Sequence, residues 1–152
     1  MIVLDAYALT ALLAGEPAAS EVGELIGGAG AAVTVPNLAE AADRLARIHG
    51  IAVERTRAAV ETLEQSTNLR VLPAERPHAW RAAELRTRHY HRTRCPLSLG
   101  DCLLLAMAGT GDQLVTADPH VLAVAAEERI EWVAVPDSRG RRHAPGVRDP
   151  ST

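Results

Sequence analysis

The chain has 152 residues, a formal net charge of −3 and 16 basic residues, every one of them arginine. That length suits one domain with a sizeable core, and 47% hydrophobic residues with 3% aromatic and no Phe make it a core of Ala, Leu and Val. A slightly acidic chain is not an all-over nucleic-acid binder, so any such contact rests on a local basic patch. No apolar run approaches the ~20 residues of a membrane span. The first run is cut by Asp5 and has no basic flank, so no signal peptide is expected. Cys95 and Cys102 fit no zinc-site spacing and read as free thiols of a cytoplasmic protein.

Met1 to Asp5 reads as a short strand buried on both faces, ending on a carboxylate. Ala6 onward reads as a helix stopped by Gly15. A second helix spans roughly 17–27, with Val22, Leu25 and Ile26 on one side, and a turn covers Gly27 to Gly30. That turn follows a helix and precedes a strand, the reverse of a phosphate-cradling loop. Ala31 to Val35 is the second strand. Pro36 opens a helix to His49, closed by Gly50. A fourth helix covers about 52–66, and Leu69 to Pro73 is the third strand. The helix from about 75 to 91 is rich in arginine, and Cys95-Pro96 breaks it. Ser98 starts an apolar helix from Leu99 to Ala108. Gln113 to Thr116 is a strand, Asp118-Pro119 opens a helix to about 127, and Ile130 to Val135 is the last strand. Alternating strands and helices predict an α/β fold with a mainly parallel sheet. One domain is expected over 1–136, followed by a mobile Arg-, Gly- and Pro-rich tail over 137–152 that includes Arg139, Arg141, Arg142 and Arg148.

Four acids have small or apolar neighbours: Asp5, Glu40, Asp101 and Asp118. Each has a purely structural explanation. Asp5 and Asp118 fit helix caps, Ser98 to Asp101 has the form of a capping box, and Glu40 fits an ion pair with Arg44 one turn on. Together they say more. Asp5 and Asp118 both end strands, and Glu40 and Asp101 lie in the first turns of helices. In a parallel sheet those positions meet at one edge, where ligands collect. Converging carboxylates raise one another's pKa unless a cation sits among them. An all-oxygen set suits Mg²⁺ or Mn²⁺ rather than zinc. Such an ion favours phosphodiester hydrolysis.

The segments Ile2-Val3-Leu4-Asp5 with Ala8-Leu9, Val35 to Glu40, Leu97 to Asp101 and Leu114 to Asp118 occur in an order that resembles the PIN-domain ribonucleases. The likeness is closest to the VapC-type toxins of bacterial toxin–antitoxin pairs, and it covers residues 1 to about 135. It implies a three-layer α/β/α sandwich with a five-stranded sheet in the order 3-2-1-4-5. It also implies a metal held by Asp5, Asp101 and Asp118, with Glu40 bound directly or through water and Thr116 orienting the carboxylates. The expected activity is a Mg²⁺- or Mn²⁺-dependent endoribonuclease acting on tRNA or ribosomal RNA. The expected partners are an antitoxin and a second copy of the chain.

The chain departs from the family at Ala6-Tyr7, where members commonly carry Ser, Thr or Asn. Tyr7 either lends its hydroxyl to the site or packs as core. The departure keeps open a second reading, an inactive PIN-like module that binds RNA or a protein. A haloacid-dehalogenase-type phosphatase needs an acid where Tyr7 stands, and a phosphoacceptor receiver needs a lysine that the chain lacks. For RNA contact the basic helix offers Arg81, Arg88, Arg92 and Arg94, against the plain alternative of a solvated helix face. The amphipathic helices over 38–66 offer a groove for an antitoxin segment, or simply pack on the sheet.

Overall fold

The computed structural model, which describes residues 1–145, places β1 (Ile2–Leu4) at the centre of a five-stranded parallel sheet. Its neighbours are β2 (Ala31–Thr34) and β4 (Gln113–Thr116), and the outer strands are β3 (Leu69–Leu72) and β5 (Glu131–Ala134), in the order β3-β2-β1-β4-β5. Parallel neighbours need long crossovers, which here are helices. These are α1 (Ala6–Ala14), α2 (Ala19–Ala29), α3 (Val35–His49), α4 (Val53–Ser66), α5 (Arg76–His89), α6 (Leu99–Met107) and α7 (Pro119–Glu127).

Side chains on a strand alternate between faces, and β1 shows the result. Ile2 and Leu4 pack with Ala8, Ala11, Val22 and Ile26 of α1 and α2. Val3 packs on the opposite face with Leu85, Cys102, Leu105 and Val121 of α5, α6 and α7. Both faces are therefore covered, which makes the three-layer sandwich that the family resemblance implied. The largest fully buried side chains are Leu and Val, as a chain without Phe requires. Gly15 and Gly50 end α1 and α3 in left-handed conformations with φ of 71° and 65°, which favour glycine. The two cysteines form no disulfide. No helix among the described residues is long and apolar enough to cross a membrane.

Several boundaries differ from the sequence reading. Gly27 and Gly28 lie in the last turn of α2 rather than in a turn, and the chain reverses at Gly30. Tertiary packing of Val22, Leu25 and Ile26 outweighs the low helix propensity of the glycines. Val35 belongs to α3, not to β2, because Thr34 caps the helix by accepting the Asn37 N–H. The basic helix stops at His89, since Tyr90 is extended and His91 pairs with Cys95 in an antiparallel bridge. After β5, Asp137 accepts the N–H groups of Arg139 and Arg141, and Arg142 reaches back to Glu21 on α2. Arg148 lies outside the described residues.

Candidate active site

Register brings the acids to one edge. Leu4 pairs with Val115 on one side and with Val33 on the other, so Asp5 lies level with Thr116 and Thr34 at the carboxyl ends of the strands. The helices α1, α3, α6 and α7 all begin at this edge. Three of them begin on an aspartate that caps the helix or completes its cap.

Asp5 is the N-cap of α1, and its Oδ1 accepts the Ala8 N–H at 2.6 Å. Its Oδ2 accepts the hydroxyl of Thr116. Thr116 is fully buried and also accepts the Asp118 N–H at 3.0 Å. One hydroxyl thus links two of the acids. Asp118 is the N-cap of α7, and Oδ1 takes the N–H groups of His120 and Val121 at 2.7 and 3.3 Å. Asp101 closes a capping box with Ser98: its N–H donates to Ser98 Oγ at 3.0 Å, while its Oδ2 accepts the Ser98 N–H at 2.8 Å. Capping and site-building are therefore the same arrangement. The caps fix the carboxylates and leave Asp101 Oδ1 and Asp118 Oδ2 without a hydrogen bond among the described residues.

Glu40, in the second turn of α3, brings its Oε2 against the first turn of α6. A Cβ placed on Gly100 would lie 3.4 Å from it. The expected pair between Glu40 and Arg44 does not form within 4.0 Å among the described residues. The acids run from buried Asp5 through half-buried Asp101 to exposed Glu40 and Asp118.

Electrostatics agree with convergence. Burial pushes the Asp5 carboxyl up to about 7, against the pull of its bonds from Thr116 and Ala8, and the charges of Asp101 and Asp118 add to the rise. Asp101 is raised chiefly by burial, with Asp118 adding and His120 opposing. Glu40 is raised by burial of part of its side chain and by Asp101, with Arg44 opposing.

The donor set is all oxygen, mutually repulsive and partly uncommitted, which fits a hard divalent cation. Among the described residues no three His, Cys, Asp or Glu side chains stand as a ready-made metal cage.

The arginines of the basic helix go elsewhere. Arg81 and Arg88 donate to Glu128, joined by His89 at 2.7 Å. Glu128 follows α7 at the end opposite Asp118, so these two arginines are anchored at the other edge of the sheet. Arg86 donates to the Leu97 carbonyl and stacks over Tyr90 at 4.2 Å. Arg92 and Arg94 lie in the loop after α5. Tyr7 packs with the core, and its buried hydroxyl faces Glu16 rather than the capping carboxylates. The sequence reading passed over two polar residues of this edge. Asn37 is fully buried, with Oδ1 accepting the Thr34 hydroxyl at 2.5 Å, and His120, in the first turn of α7, is near enough for its charge to act on Asp101. The signal for Asn37 is a Thr three residues before it at a strand end.

A parallel sheet in the order 3-2-1-4-5, with carboxylates gathered where its strands end, defines an α/β protein with an acidic edge site. Residues 2–142 match the PIN domain family, and the chain belongs to it. No curated protein sequence matches the chain. Among solved structures, it is similar to a toxin–antitoxin complex from Klebsiella pneumoniae, with 18% identity and a TM-score of 0.60 over 81% of this chain and 91% of that one. It is also similar to the sarcin–ricin-loop-cleaving toxin VapC20 of Mycobacterium tuberculosis, with 23% identity and a TM-score of 0.59 over 75% and 87%. A third is DNA-bound VapBC from Salmonella typhimurium, with 20% identity and a TM-score of 0.59 over 87% and 96%. At these identities the likeness is one of fold.

Proposed function

We propose that the protein is a metal-dependent endoribonuclease and the toxin of a type II toxin–antitoxin pair. The observation that carries this reading is the Thr116 hydroxyl bridging Asp5 and Asp118, at an edge that Asp101 and Glu40 also reach. Asp5, Asp101 and Asp118 are the residues to hold Mg²⁺ or Mn²⁺, with Glu40 joining directly or through water. When bound, such an ion lowers the pKa of water and neutralises phosphoryl charge. Thr116 and the three helix caps hold the carboxylates so that little reorganisation accompanies reaction. Glu40 and Asp5, both shifted upward by burial and by neighbouring carboxylates, are the candidates to take the proton of the attacking water. The water oxygen bonds to phosphorus as the bond to the 3′-oxygen breaks, and the departing 3′-oxygen takes up a proton from solvent. The products are a 5′-phosphate and a 3′-hydroxyl.

The solved relatives that are toxin–antitoxin complexes, and the one that cleaves the sarcin–ricin loop, support a structured tRNA or ribosomal RNA substrate and an antitoxin partner. A cytoplasmic homodimer belongs to the same reading. Arg92 and Arg94 form no ion pair among the described residues, whereas Arg81 and Arg88 must leave Glu128 to meet RNA. The departure at Ala6-Tyr7 does not strip the site of hydroxyl support, because Thr116 supplies it.

The test is regulated expression in a bacterial host with mapping of new RNA 5′ ends, wild type beside Asp101→Asn. New 5′-phosphate ends at one or a few sites, absent in the variant, are expected. Folded wild-type protein that yields none, in this host and in the native organism, replaces the nuclease with a binding module.

A further inference from the structure

We propose that Arg44 contacts the phosphate backbone of the RNA beside the scissile bond and so positions the substrate. The inference rests on the nuclease reading above for its substrate class. Three observations carry it. Arg44 lies four residues after Glu40 on α3, which places both side chains on one helix face, and its charge reaches the Glu40 carboxyl. It nevertheless forms no ion pair within 4.0 Å among the described residues, and the adjacent acid Asp43 is held by Arg47 through two bonds of 2.8 and 2.5 Å. Finally, its Nε is buried and has no acceptor. The side chain as a whole is only partly buried, and its terminal N–H groups, which are not closed off like Nε, are open to an acceptor that a ligand brings.

Five other arginines are committed elsewhere. Arg81 and Arg88 are committed to Glu128, Arg86 to the Leu97 carbonyl, Arg142 to Glu21 and Arg141 to Asp137. An acidic site needs a cation at its rim to admit a polyanion. A guanidinium is the group that meets a phosphate with two parallel N–H donors. Arg44 stands one turn beyond Glu40, so the phosphate it meets flanks the bond that the carboxylates address.

The test uses the full chain with Ca²⁺ in place of Mg²⁺ and a labelled single-stranded RNA of random sequence, followed by fluorescence anisotropy across a salt series. Arg44→Gln is expected to weaken binding about tenfold and to lower the slope of log affinity against log salt by about 0.7. Arg44→Lys is expected to keep the slope and recover only part of the affinity, since it keeps the charge but loses the fork. Without RNA, Arg44→Gln should melt no lower than wild type, because it removes an unsatisfied buried donor. Unchanged affinity and slope in Arg44→Gln, or no RNA binding by wild type, overturns the proposal. A shifted acid limb of the pH–rate profile with unchanged binding also overturns it and leaves Arg44 as a counter-charge for Glu40. The two readings fail separately. A wild type that cleaves RNA while Arg44→Gln binds it equally well keeps the nuclease and loses Arg44. A wild type that binds RNA through Arg44 but yields no new 5′ ends does the reverse.

Discussion

At the scale of single residues, Asp5 has two duties with opposite demands. As a cap it must be ordered and inside; as a charged ligand it is least comfortable there. Its carboxyl rises from an ordinary 3.8 to about 7. Between those values the folded protein holds a proton that the unfolded chain has released. The folded state therefore loses stability as pH rises through that window, by on the order of 4 kcal/mol. The cost is absent at lower pH and fully present above about 7. Glu21, Glu128 and Asp137 are lowered by their partners and act in the opposite sense, giving stability that is lost as pH falls. The difference between wild type and Asp5→Asn isolates Asp5, since Asn still caps a helix. In metal-free urea unfolding, Asp5→Asn should gain on wild type as pH goes from about 5 to about 7.5. Added Mn²⁺ should stabilise wild type at the higher pH and not the variant, because a ligand must be deprotonated. A constant difference across pH would sink this account. Asp5, Asp101 and Asp118 were legible in the sequence because each sits at a strand end or helix start where the pattern changes. Arg44 was legible only as a neighbour of Glu40, since no periodicity tells a paired arginine from an orphaned one.

At the scale of elements, the close approach of α3 to α6 depends on position 100. Gly100 costs α6 stability relative to alanine in a helix, yet a Cβ there would stand 3.4 Å from Glu40 Oε2 and 3.5 Å from Ser98 Oγ. Gly100→Ala should raise stability by about 0.5–1 kcal/mol, because the Glu40 end is flexible enough to yield. The same yielding moves Glu40 away from Asp101 and should lower RNA cleavage. Melting temperature and cleavage rate measured together check it; a rise in both, or a fall in stability, contradicts it. Element boundaries show where local sequence loses to its surroundings. Gly27-Gly28 reads as a turn, but packing of Val22, Leu25 and Ile26 carries α2 through it. The basic helix reads two residues too long, because its pattern gives no hint of the bridge between His91 and Cys95. Pro36 marks the start of α3, while the cap one residue before Val35 is visible only once Thr34 is seen to accept the Asn37 N–H.

At the scale of the whole molecule, the alternation of short apolar runs with helical periodicity states the α/β class. Strand order cannot be read from it, because every crossover is long enough to reach several neighbours; here resemblance to the family supplied 3-2-1-4-5, and the sheet has that order. The two edges of that sheet differ in charge, and α7 joins them, with Asp118 capping its start and Glu128 closing its end. A helix carries partial positive charge at its beginning and partial negative charge at its end. Asp118 is therefore at the favourable pole, and Glu127 and Glu128 are at the unfavourable one. The end of α5 brings a second negative pole to the same place, with Arg86, Arg88 and His89 in its last turn. The basic stripe of α5 thus answers two helix ends and two acids. Removing the acid should therefore be milder than removing the cations, since the cations still face carbonyl-rich helix ends. Glu128→Gln is expected to destabilise the fold less than Arg81→Gln combined with Arg88→Gln, by roughly 1 kcal/mol at low salt. The gap should close as added salt screens the poles. Equal losses in denaturant unfolding would mean that the stripe serves Glu128 alone.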